Sequence, residues 1–425
     1  MGLTILVIGS GGREHVIAQK FIKSPLVQEV YCAKGNPGMI RDGIQLVDIA
    51  EDNHKELIAF AEQNKVDWTF VGPEVPLLNG IVDDFKKAGL KIFGPEKAAA
   101  MIEGSKDFAK ELMNKYHIPT AMHRTFHELE PAKEYVRMKG APIVIKADGL
   151  AAGKGVVVAE SVEEAISALE DMLEGNRFGA SGAKVVVEDF LAGEEFSLLA
   201  FVRDQEIYPM TIAQDHKRAY ENDEGPNTGG MGAYSPVPQI PQELVDEAIA
   251  KVLRPAAEGL IKEGCPFTGI LYAGLIATEE GAKVIEFNAR FGDPETQVVL
   301  QRLETDLAGI IDDLLNERIP AIQWKQDGFS LGVVVAANGY PEEYISGSVL
   351  PAFSSDCEQR VYYAGVSEKD GKLLSSGGRI YLVEAEGNTL EEAQQNVYQL
   401  LDSVDTTGTF YRKDIGAKAM KSAKL

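Results

Sequence analysis

A run of aliphatic and β-branched residues near the start of the chain, followed at once by a glycine turn, constrains the fold more than any other feature. Residues 4–9 read TILVIG, a pattern typical of a strand buried on both faces of a parallel sheet. The turn 9–12 follows, and the sequence predicts a helix from about Glu14. Further short strands are predicted over 30–33, 68–71 and 91–93. Strands alternating with helices indicate a doubly wound α/β domain over residues 1–104.

The pattern changes from Ser105 onward. A helix is predicted first, and then a compact α+β unit, in which Ser161 opens a helix with the capping-box partner Glu164 three residues later. A larger α+β lobe follows and ends in a strand over 283–288. We expect residues 105–328 to form this second, two-lobed domain and residues 329–425 to form a C-terminal α+β domain.

The amino-acid composition excludes several classes of partner and favours one cellular location. The 425 residues include 42 basic and 65 acidic side chains, so the formal net charge is −23. Such a chain repels nucleic acid and anionic membranes, and we expect neither as a partner. No apolar run reaches membrane-spanning length, and the first residues lack the features of a signal peptide. Three widely spaced cysteines form no CxxC pair, which favours the reducing cytoplasm.

The glycine turn is a candidate anion site because its N–H groups precede a helix N-terminus. A dinucleotide-binding fold would place a glycine where Glu14 stands and an acid where Lys34 stands, at the end of the second predicted strand. The turn therefore favours a phosphate-bearing ligand over NAD, with a purely structural turn as the alternative. The loops 34–38 (KGNPG) and 72–74 (GPE) follow two other predicted strands. All three loops should share the carboxyl edge of the sheet, where ligands bind.

A second glycine-rich segment, residues 146–155, reads KADGLAAGKG. Its order does not match a P-loop, because Gly155 follows Lys154. Two lysines flanking several glycines nevertheless suit a polyphosphate covered by a flap. A glycine hairpin with surface lysines is the alternative.

The strand at residues 283–288 carries the clearest metal signal. Glu286 and Asn288 are two residues apart and should share one face, while Ile285 and Phe287 should face a core. A carboxylate and an amide oxygen are hard ligands that fit Mg²⁺ completed by phosphates and water. Arg290 extends the same face and could stabilise a transferring phosphoryl group or bind a carboxylate. A half-exposed edge strand is the alternative.

The polar stretch 214–235 is long enough, if structureless, to be functional or mobile. Lys217 and Arg218 are candidate phosphate or nucleotide contacts. His216 is more in keeping with an ordinary loop histidine than with a catalytic base. The acidic segment 187–195 alone indicates a solvated turn, although its strand end could also contact an adenine.

These motifs, taken in order, resemble the phosphoribosylamine–glycine ligase family (glycinamide ribonucleotide synthetases) of the ATP-grasp superfamily. The resemblance covers nearly the whole chain and rests on these segments: GSGGREH, KGNPG, VGPE, EGSKDFAK, VIKADGLAAGKGV, QDHKR, GPNTGGMGAYSP and VIEFNARFGDPETQ. It implies an ATP-grasp core with a small lid lobe at about 122–192. It also implies ligation of glycine to 5-phosphoribosylamine, in de novo purine biosynthesis, with ATP converted to ADP and phosphate through glycyl phosphate.

The resemblance also implies the site residues. Those for ATP are Lys106, Lys146, Gly153, Lys154, Gly155, Glu188, Leu191 and Glu195. Those for the substrates are Gly11, Gly12, Asn36, Pro37, Gly38, Glu74, Asp215, Lys217 and Arg218. Arg290 and Asp293 are the candidate catalytic residues, and with Asp215 they are the candidates around glycine. Glu286 and Asn288 would hold Mg²⁺ or Mn²⁺. One ion is expected, because the preceding strand, GILYAGLIA, lacks the acidic ligand of many ATP-grasp enzymes.

Three other functions remain as alternatives. Another ATP-grasp carboxylase or ligase of purine metabolism is the nearest, but the QDHKR and GPNTGGMGAYSP stretches count against it. A nucleotide-dependent oxidoreductase is opposed by Glu14 and Lys34. A non-catalytic ATP-binding protein is opposed by the retained lysines, Glu286, Asn288 and Arg290. We expect a cytoplasmic monomer.

Overall fold

The computed structural model describes residues 2–149, 155–174, 184–354 and 360–422. The predicted flap residues Gly153 and Lys154 lie outside these ranges. The first part of the chain is a five-stranded, wholly parallel sheet of order β3-β2-β1-β4-β5. Its elements are β1 (Leu3–Gly9), α1 (Gly12–Ile22), β2 (Val27–Lys34), β3 (Gln45–Val47), α2 (His54–Gln63), β4 (Trp68–Val71), α3 (Glu74–Leu78), α4 (Ile81–Lys87) and β5 (Ile92–Phe93).

This sheet confirms the predicted doubly wound fold. The last five residues of β1 are buried, as expected for a central strand covered on both faces. The prediction missed β3, whose three residues are too few to show a pattern. The strand over 68–71 is therefore the fourth strand of the chain and not the third.

A small antiparallel sheet of order β6-β9-β7-β8 forms the lid lobe. Ser161 caps its second helix as predicted, because its hydroxyl accepts the Glu164 N–H. The elements of this region are α5 (Lys97–Gly104), α6 (Lys106–Lys115), β6 (His123–Phe126), α7 (Leu129–Lys139), β7 (Ile143–Ala147), β8 (Val156–Ala159), α8 (Val162–Leu173) and β9 (Val185–Asp189).

The larger lobe is built on a second antiparallel sheet, of order β11-β10-β16-β17. A five-residue π-helix separates its first two helices. The elements are β10 (Glu194–Arg203), β11 (Glu206–Pro209), β12 (Gln214–Asp215), β13 (Arg218–Tyr220), β14 (Glu224–Asn227), β15 (Gly232–Ser235), α9 (Gln242–Ala248), α10 (Arg254–Lys262), β16 (Thr268–Thr278), β17 (Gly281–Asn288), α11 (Glu295–Val299) and α12 (Leu307–Leu315).

The polar stretch 214–235 is ordered into four strands, which corrects the expectation of a structureless segment. β13 pairs with β14 as a hairpin, while β12 and β15 join a sheet of order β12-β15-β18-β22-β19. That sheet therefore crosses the predicted boundary between residues 328 and 329. The remaining elements are β18 (Phe329–Ala337), β19 (Val361–Tyr363), β20 (Val366–Lys369), β21 (Lys372–Ser375), β22 (Arg379–Gly387), α13 (Leu390–Asp402), β23 (Thr409–Phe410) and α14 (Ala417–Ser422).

Apolar packing is continuous between these regions. One buried cluster includes Leu6 of β1, Leu271 of β16 and Val333 of β18, so all three sheets contribute to it. The lid sheet has a separate small cluster around Ile145 and Val187. Within the described residues, none of the helices is both long and apolar enough to cross a membrane.

Candidate active site

The three predicted loops of the N-terminal sheet meet at its carboxyl edge, which confirms their expected placement. The Gly35 N–H donates to the Gly9 carbonyl at 2.9 Å, and the Gly72 N–H donates to the Ile8 carbonyl at 3.0 Å. The side-chain amide of Asn36 donates to the Ser10 carbonyl at 2.8 Å. These contacts follow from the parallel order of β2, β1 and β4, whose ends lie side by side.

Glu14 fills the glycine turn from within. Its Oε2 accepts the Gly11 N–H at 2.8 Å. A Cβ atom on Gly9 or on Gly72 would lie 2.2 Å from the Glu14 side chain, so both glycines make room for this carboxylate. The Gly11 N–H predicted to face a phosphate is therefore already bonded to the protein, and Glu14 stands in the space that a dinucleotide fold keeps open.

The loop 36–38 packs against the C-terminal domain. The Asn36 side chain also donates to the Tyr363 carbonyl at 2.9 Å, and a Cβ on Gly38 would lie 2.4 Å from the Tyr363 side chain. The Tyr363 N–H donates to His15 Nδ1 at 2.8 Å, so Nε2 carries the proton and donates to Asp42 at 2.8 Å. Burial outweighs Asp42 and lowers the pKa of His15. This predicted substrate loop thus also forms an interdomain contact.

Arg290 joins the N-terminal domain to the strand predicted to hold a metal. Its Nη2 lies 2.7 Å from Glu103 Oε1 and donates to Asn288 Oδ1 at 3.1 Å, and its Nε lies 3.4 Å from Glu74 Oε2. Burial would raise the pKa of Glu74, but Arg290 and Arg13 outweigh it and lower this pKa. The structure thereby brings the predicted residues Glu74, Asn288 and Arg290 together.

Asp293 is held from two other elements. Gln297 donates to its Oδ1 at 2.9 Å, and Arg379 Nη2 lies 3.4 Å from its Oδ2. Arg379 also donates to the backbone carbonyls of Asp293 at 2.9 Å and Gly229 at 2.8 Å. Burial would raise the pKa of Asp293, but Arg379 and Arg13 outweigh it and hold the pKa below its ordinary value.

Two lysines share one carboxylate beneath the lid. Lys146 Nζ lies 3.0 Å from Glu188 Oε1, and Lys110 Nζ lies 2.9 Å from Glu188 Oε2. All three side chains are buried. Burial lowers the pKa of Lys110 to about 8. Lys146 also donates to the Ile285 carbonyl at 3.0 Å, which links the lid sheet to the larger lobe.

Lys106 adds a third ammonium group near Lys110 and Lys146. It stands in the first turn of α6, and its Nζ donates to the Gly149 carbonyl at 3.0 Å. Burial lowers its pKa, while nearby Glu286 raises it and nearby Lys146 lowers it further. Of the predicted flap, the Gly155 carbonyl accepts the Ala147 N–H at 2.8 Å. Lys106, Lys146 and Glu286 therefore lie close enough to influence one another.

A narrow pocket contains the other predicted polar residues and is lined by Glu195, Asp215, Lys217, Tyr272 and Glu286. Lys217 Nζ lies 3.0 Å from Asp215 Oδ1 and 3.1 Å from Glu195 Oε2. Desolvation would lower the pKa of Lys217, but Asp215 and Glu195 outweigh it and raise the pKa well above its ordinary value. Lys217 is therefore a charged ammonium group paired with two carboxylates.

A β-bulge shapes the metal-ligand pair. Gly274 pairs with Glu286 and Leu275 with Val284, so Ile285 is the extra residue. Phe287 faces the core as predicted, but Ile285 lines the pocket beside Glu286, which corrects its expected core position. The alternation of a regular strand is broken at this residue. Among the described residues, the Glu286 carboxylate has neither a hydrogen bond nor an ion pair, so its oxygens are available.

Some predicted residues lie outside this cluster. Arg218 donates to the Gly225 carbonyl at 2.8 Å and points along the hairpin. His216 is buried, and burial together with Arg412 lowers its pKa to about 4. Its Nε2 accepts the Gly416 N–H at 3.2 Å, so it is a structural residue, in line with the expectation. Leu191 is half-buried just after β9.

Several residues at the site went unnoticed in the sequence. Lys110 stands one helical turn after Lys106, a spacing that could have pointed to it. Glu103 stands inside a quoted motif but carries no distinguishing pattern. Glu14 counts in the sequence only against a dinucleotide site, and no pattern indicated that its carboxylate would bind the glycine turn. Arg379 lies 86 residues from Asp293, and no local signal connects the two.

Comparison with known proteins agrees with this geometry. Family models of phosphoribosylglycinamide synthetase match residues 3–103 (N domain), 104–296 (ATP-grasp domain) and 330–418 (C domain). The chain belongs to the phosphoribosylglycinamide synthetase family. It is 56% identical over 421 residues to the phosphoribosylamine–glycine ligase of Streptococcus pneumoniae serotype 4, covering 99% of this chain and 100% of that one. The Listeria innocua ligase is 57% identical, covering 98% and 100%.

Solved structures place the synthetase fold in a wider group. The phosphoribosylamine–glycine ligase of Thermotoga maritima superposes with a TM-score of 0.86 at 34% identity, covering 97% of this chain and 100% of that one. The biotin carboxylase domain of a Hydrogenobacter thermophilus 2-oxoglutarate carboxylase superposes with a TM-score of 0.76 at 16% identity, covering 97% and 92%. That second likeness concerns the fold alone. The chain is thus a three-domain, ATP-dependent ligase with an ATP-grasp core.

Proposed function

We propose that this synthetase joins glycine to 5-phosphoribosylamine through glycyl phosphate. A carboxylate oxygen of glycine attacks the γ-phosphorus of ATP, and the bond from that phosphorus to the β–γ bridging oxygen breaks, releasing ADP. The amine of phosphoribosylamine then attacks the acyl carbon. The acyl C–O bond breaks, phosphate leaves, and the amine loses a proton as glycinamide ribonucleotide forms. The observation that carries the proposal is the meeting of the predicted ATP and substrate residues around strand β17.

The positive charges around strand β17 would offset the repulsion between the glycine carboxylate and the ATP triphosphate. A carboxylate approaching a triphosphate brings like charges together, so the barrier falls only if fixed positive charge lies nearby. Lys106 and Lys146 would hold the ATP phosphates, with the flap Gly153–Gly155 closing over them to exclude water. Glu188 sets the position of Lys146, and its backbone with Leu191 would border the adenine. Glu195 would contact the ribose.

We further propose that Glu286 and Asn288 hold one Mg²⁺ or Mn²⁺. Their oxygens are hard ligands, and the unengaged Glu286 carboxylate suits a cation. Across the described residues, no group of three or more His, Cys, Asp or Glu side chains is arranged to hold a metal. Two protein ligands would leave the other positions to phosphate oxygens and water. Such an ion, when bound, supplies positive charge to the transferring phosphoryl group.

The substrates would bind on either side of Arg290. Asp215, Arg290 and Asp293 would surround glycine, with Arg290 orienting its carboxylate. Glu74 and the loops Gly11–Gly12 and Asn36–Gly38 would border phosphoribosylamine. Because Glu14 already takes the Gly11 N–H, the N-terminus of α1 beyond it is the better candidate for the phosphate. Lys217 would place positive charge on the nucleotide side, while Arg218 binds the Gly225 carbonyl and lies outside the cluster.

Domain roles follow from the same assignment. Residues 1–104 would bind phosphoribosylamine, residues 105–328 would bind ATP with the lid lobe 122–192, and residues 329–425 would close the site. The matched family domains support these bounds. We propose that the enzyme acts as a cytoplasmic monomer.

Isotope transfer tests the glycyl phosphate step. Glycine labelled with ¹⁸O in both carboxylate oxygens should transfer one ¹⁸O to the released phosphate, because the attacking oxygen stays on phosphorus when the acyl C–O bond breaks. Mass spectrometry of the phosphate measures this transfer. Phosphate without label, formed together with glycinamide ribonucleotide, would overturn the proposed route.

A further inference from the structure

A segment near the C-terminus reaches back to the start of the β13–β14 hairpin, next to Lys217. The C-terminal segment, residues 412–416 (RKDIG), follows β23 and contacts residues 216–223 directly. Resemblance reaches this segment but gives it no role.

Arg412 is the centre of these contacts. Its Nε and Nη2 each lie 2.8 Å from an oxygen of Asp414, a bidentate pair. Its Nη1 donates to Asp223 Oδ1 at 3.0 Å and to the Arg218 carbonyl at 3.1 Å. The side chain is 2% exposed, so these contacts are shielded from water. Lys418 pairs with the second oxygen of Asp223. Two cations and two carboxylates therefore balance one another.

The segment holds the residues on both sides of Lys217. Arg412 binds the carbonyl of Arg218, the residue after it. The Gly416 N–H donates at 3.2 Å to the ring of His216, the residue before it. Lys217 itself is tied by its carbonyl, which accepts the Thr228 N–H at 2.7 Å. Residues 216 to 218 are consequently each held, His216 by its ring and Lys217 and Arg218 by their backbone carbonyls.

The segment is itself braced by α13. Tyr398 donates its hydroxyl to the Arg412 carbonyl at 2.8 Å, and Gln394 donates to the Ile415 carbonyl at 2.8 Å. A chain of contacts therefore runs from α13 through the segment to the hairpin, and then from Lys217 to Asp215 and Glu195. A long flexible side chain such as lysine needs a fixed backbone before its ammonium can meet two carboxylates at once.

We propose that residues 412–416 position Lys217, and with it Asp215 and Glu195, so that Arg412 and Asp414 are positioning residues of the ligase site. The identity of the substrates that Lys217, Asp215 and Glu195 contact rests on the proposed function. The placement of the Lys217 side chain does not depend on that function. The C-terminal domain then holds the β13–β14 hairpin and the adjacent Lys217 in place, in addition to covering the site.

The first test measures hairpin order without any substrate. Hydrogen–deuterium exchange of the full-length chain is followed by mass spectrometry on peptides covering 214–231. Arg412→Met should remove protection there, because Asp414 and the Arg218 carbonyl lose their partner. Arg302→Met is the matched control, since Arg302 is equally buried and binds the Lys325 carbonyl at 2.6 Å, and none of its contacts involves the hairpin. It should lower the Tm and leave hairpin exchange unchanged. Unchanged hairpin exchange in Arg412→Met overturns the proposal.

The second test measures whether the placement matters to the reaction. Arg412→Met should lower kcat/KM for ATP or glycine by ~10–100-fold, mainly through KM, because a small misplacement has a large kinetic effect. Arg412→Lys should recover part of it, since lysine cannot form the bidentate pair. Altered exchange with wild-type KM and kcat would overturn the proposal.

A milder variant tests the proposal if Arg412→Met does not fold. Asp223→Asn removes one partner from a half-exposed position, and the same two readouts then decide the proposal. Failure of the proposed function stays distinguishable. A wild-type chain that releases no ADP with glycine would refute the function, while the substrate-free exchange result would still decide whether the segment positions Lys217.

Discussion

Glu188 Oε1 lies 3.0 Å from Lys146 Nζ, while the other oxygen of the same carboxylate lies 2.9 Å from Lys110. Burial would raise the pKa of Glu188, but the two ammonium groups outweigh it and lower the pKa, so the carboxylate stays charged. These two buried ammonium groups and one buried carboxylate thus sum to one positive charge beside the proposed triphosphate site. We expect the carboxylate to act on ATP through the lysine that it holds in place.

Glu188→Gln should therefore weaken ATP use without changing base preference. Without the carboxylate, Lys110 and Lys146 repel each other and Lys146 loses its anchor, so kcat/KM for ATP should fall by roughly 10²–10³-fold. The ratio of ATP to GTP use should stay the same, because the backbone at residue 188 is retained. Lys133→Met, on the outer helix of the lid lobe, is the control and should behave as wild type. A selective loss of the ATP preference would instead assign the Glu188 side chain to the adenine.

Glu286→Gln should weaken metal binding. Replacing the free carboxylate by an amide removes the charged ligand, so Mn²⁺ affinity in the presence of ADP should fall at least roughly tenfold. Electron paramagnetic resonance of bound Mn²⁺ measures this directly. Glu280→Gln, in the exposed turn between β16 and β17, should bind Mn²⁺ normally. Equal affinity in the two variants would move the metal away from Glu286.

Arg379→Met should loosen the two loops that contain Gly229 and Asp293. It removes donors to the Gly229 and Asp293 carbonyls and an ion-pair partner of Asp293. Since Asp293 is a proposed glycine contact, kcat/KM for glycine should fall by ~10–100-fold. Arg318→Met, which removes an exposed arginine paired with Asp312 and Asp313, should leave these kinetics unchanged. Matching kinetics for the two variants would show that Arg379 is not required.

Glu384 should make the stability of the enzyme depend on pH. Burial raises the pKa of this carboxyl to about 7, even though Ser330 donates a hydrogen bond to it. The folded state therefore holds a proton that the unfolded state releases near pH 4.5, and stability is lost as the pH rises toward and past 7. Glu384→Gln cannot ionise, so its stability relative to wild type should rise by about 2 kcal/mol between pH 5 and pH 9.

Denaturant unfolding at the two pH values measures that difference. Glu386→Gln on the same strand is the control, since Glu386 is half-exposed and paired with Lys325. It should show a much smaller change between the two pH values. A pH-independent difference for Glu384→Gln would mean that the carboxyl titrates normally in the folded protein.

Local patterns were enough to predict much of the fold. The run TILVIG and its glycine turn identified the parallel sheet, and the three loops at its edge followed from strand order alone. The capping pair Ser161 and Glu164 correctly marked the start of α8. These features depend on neighbouring residues, which is why the sequence shows them.

The remaining features depend on residues far apart in the chain. The bulge at Ile285 arises from pairing with β16 and changes which side chains line the pocket. The stretch 214–235 is polar, yet its last strand, β15, joins a sheet by pairing with β18 nearly one hundred residues later. The contacts of Arg379 and Arg412 similarly cross 86 to 194 residues. No spacing rule in one sequence connects such pairs.

Substrate dependence of ADP release tests the central claim most directly. The purified full-length chain should release ADP from ATP only when glycine and freshly prepared 5-phosphoribosylamine are both present. Bicarbonate in place of glycine should support no release. Steady ADP release with bicarbonate, or none with both substrates, would contradict the account.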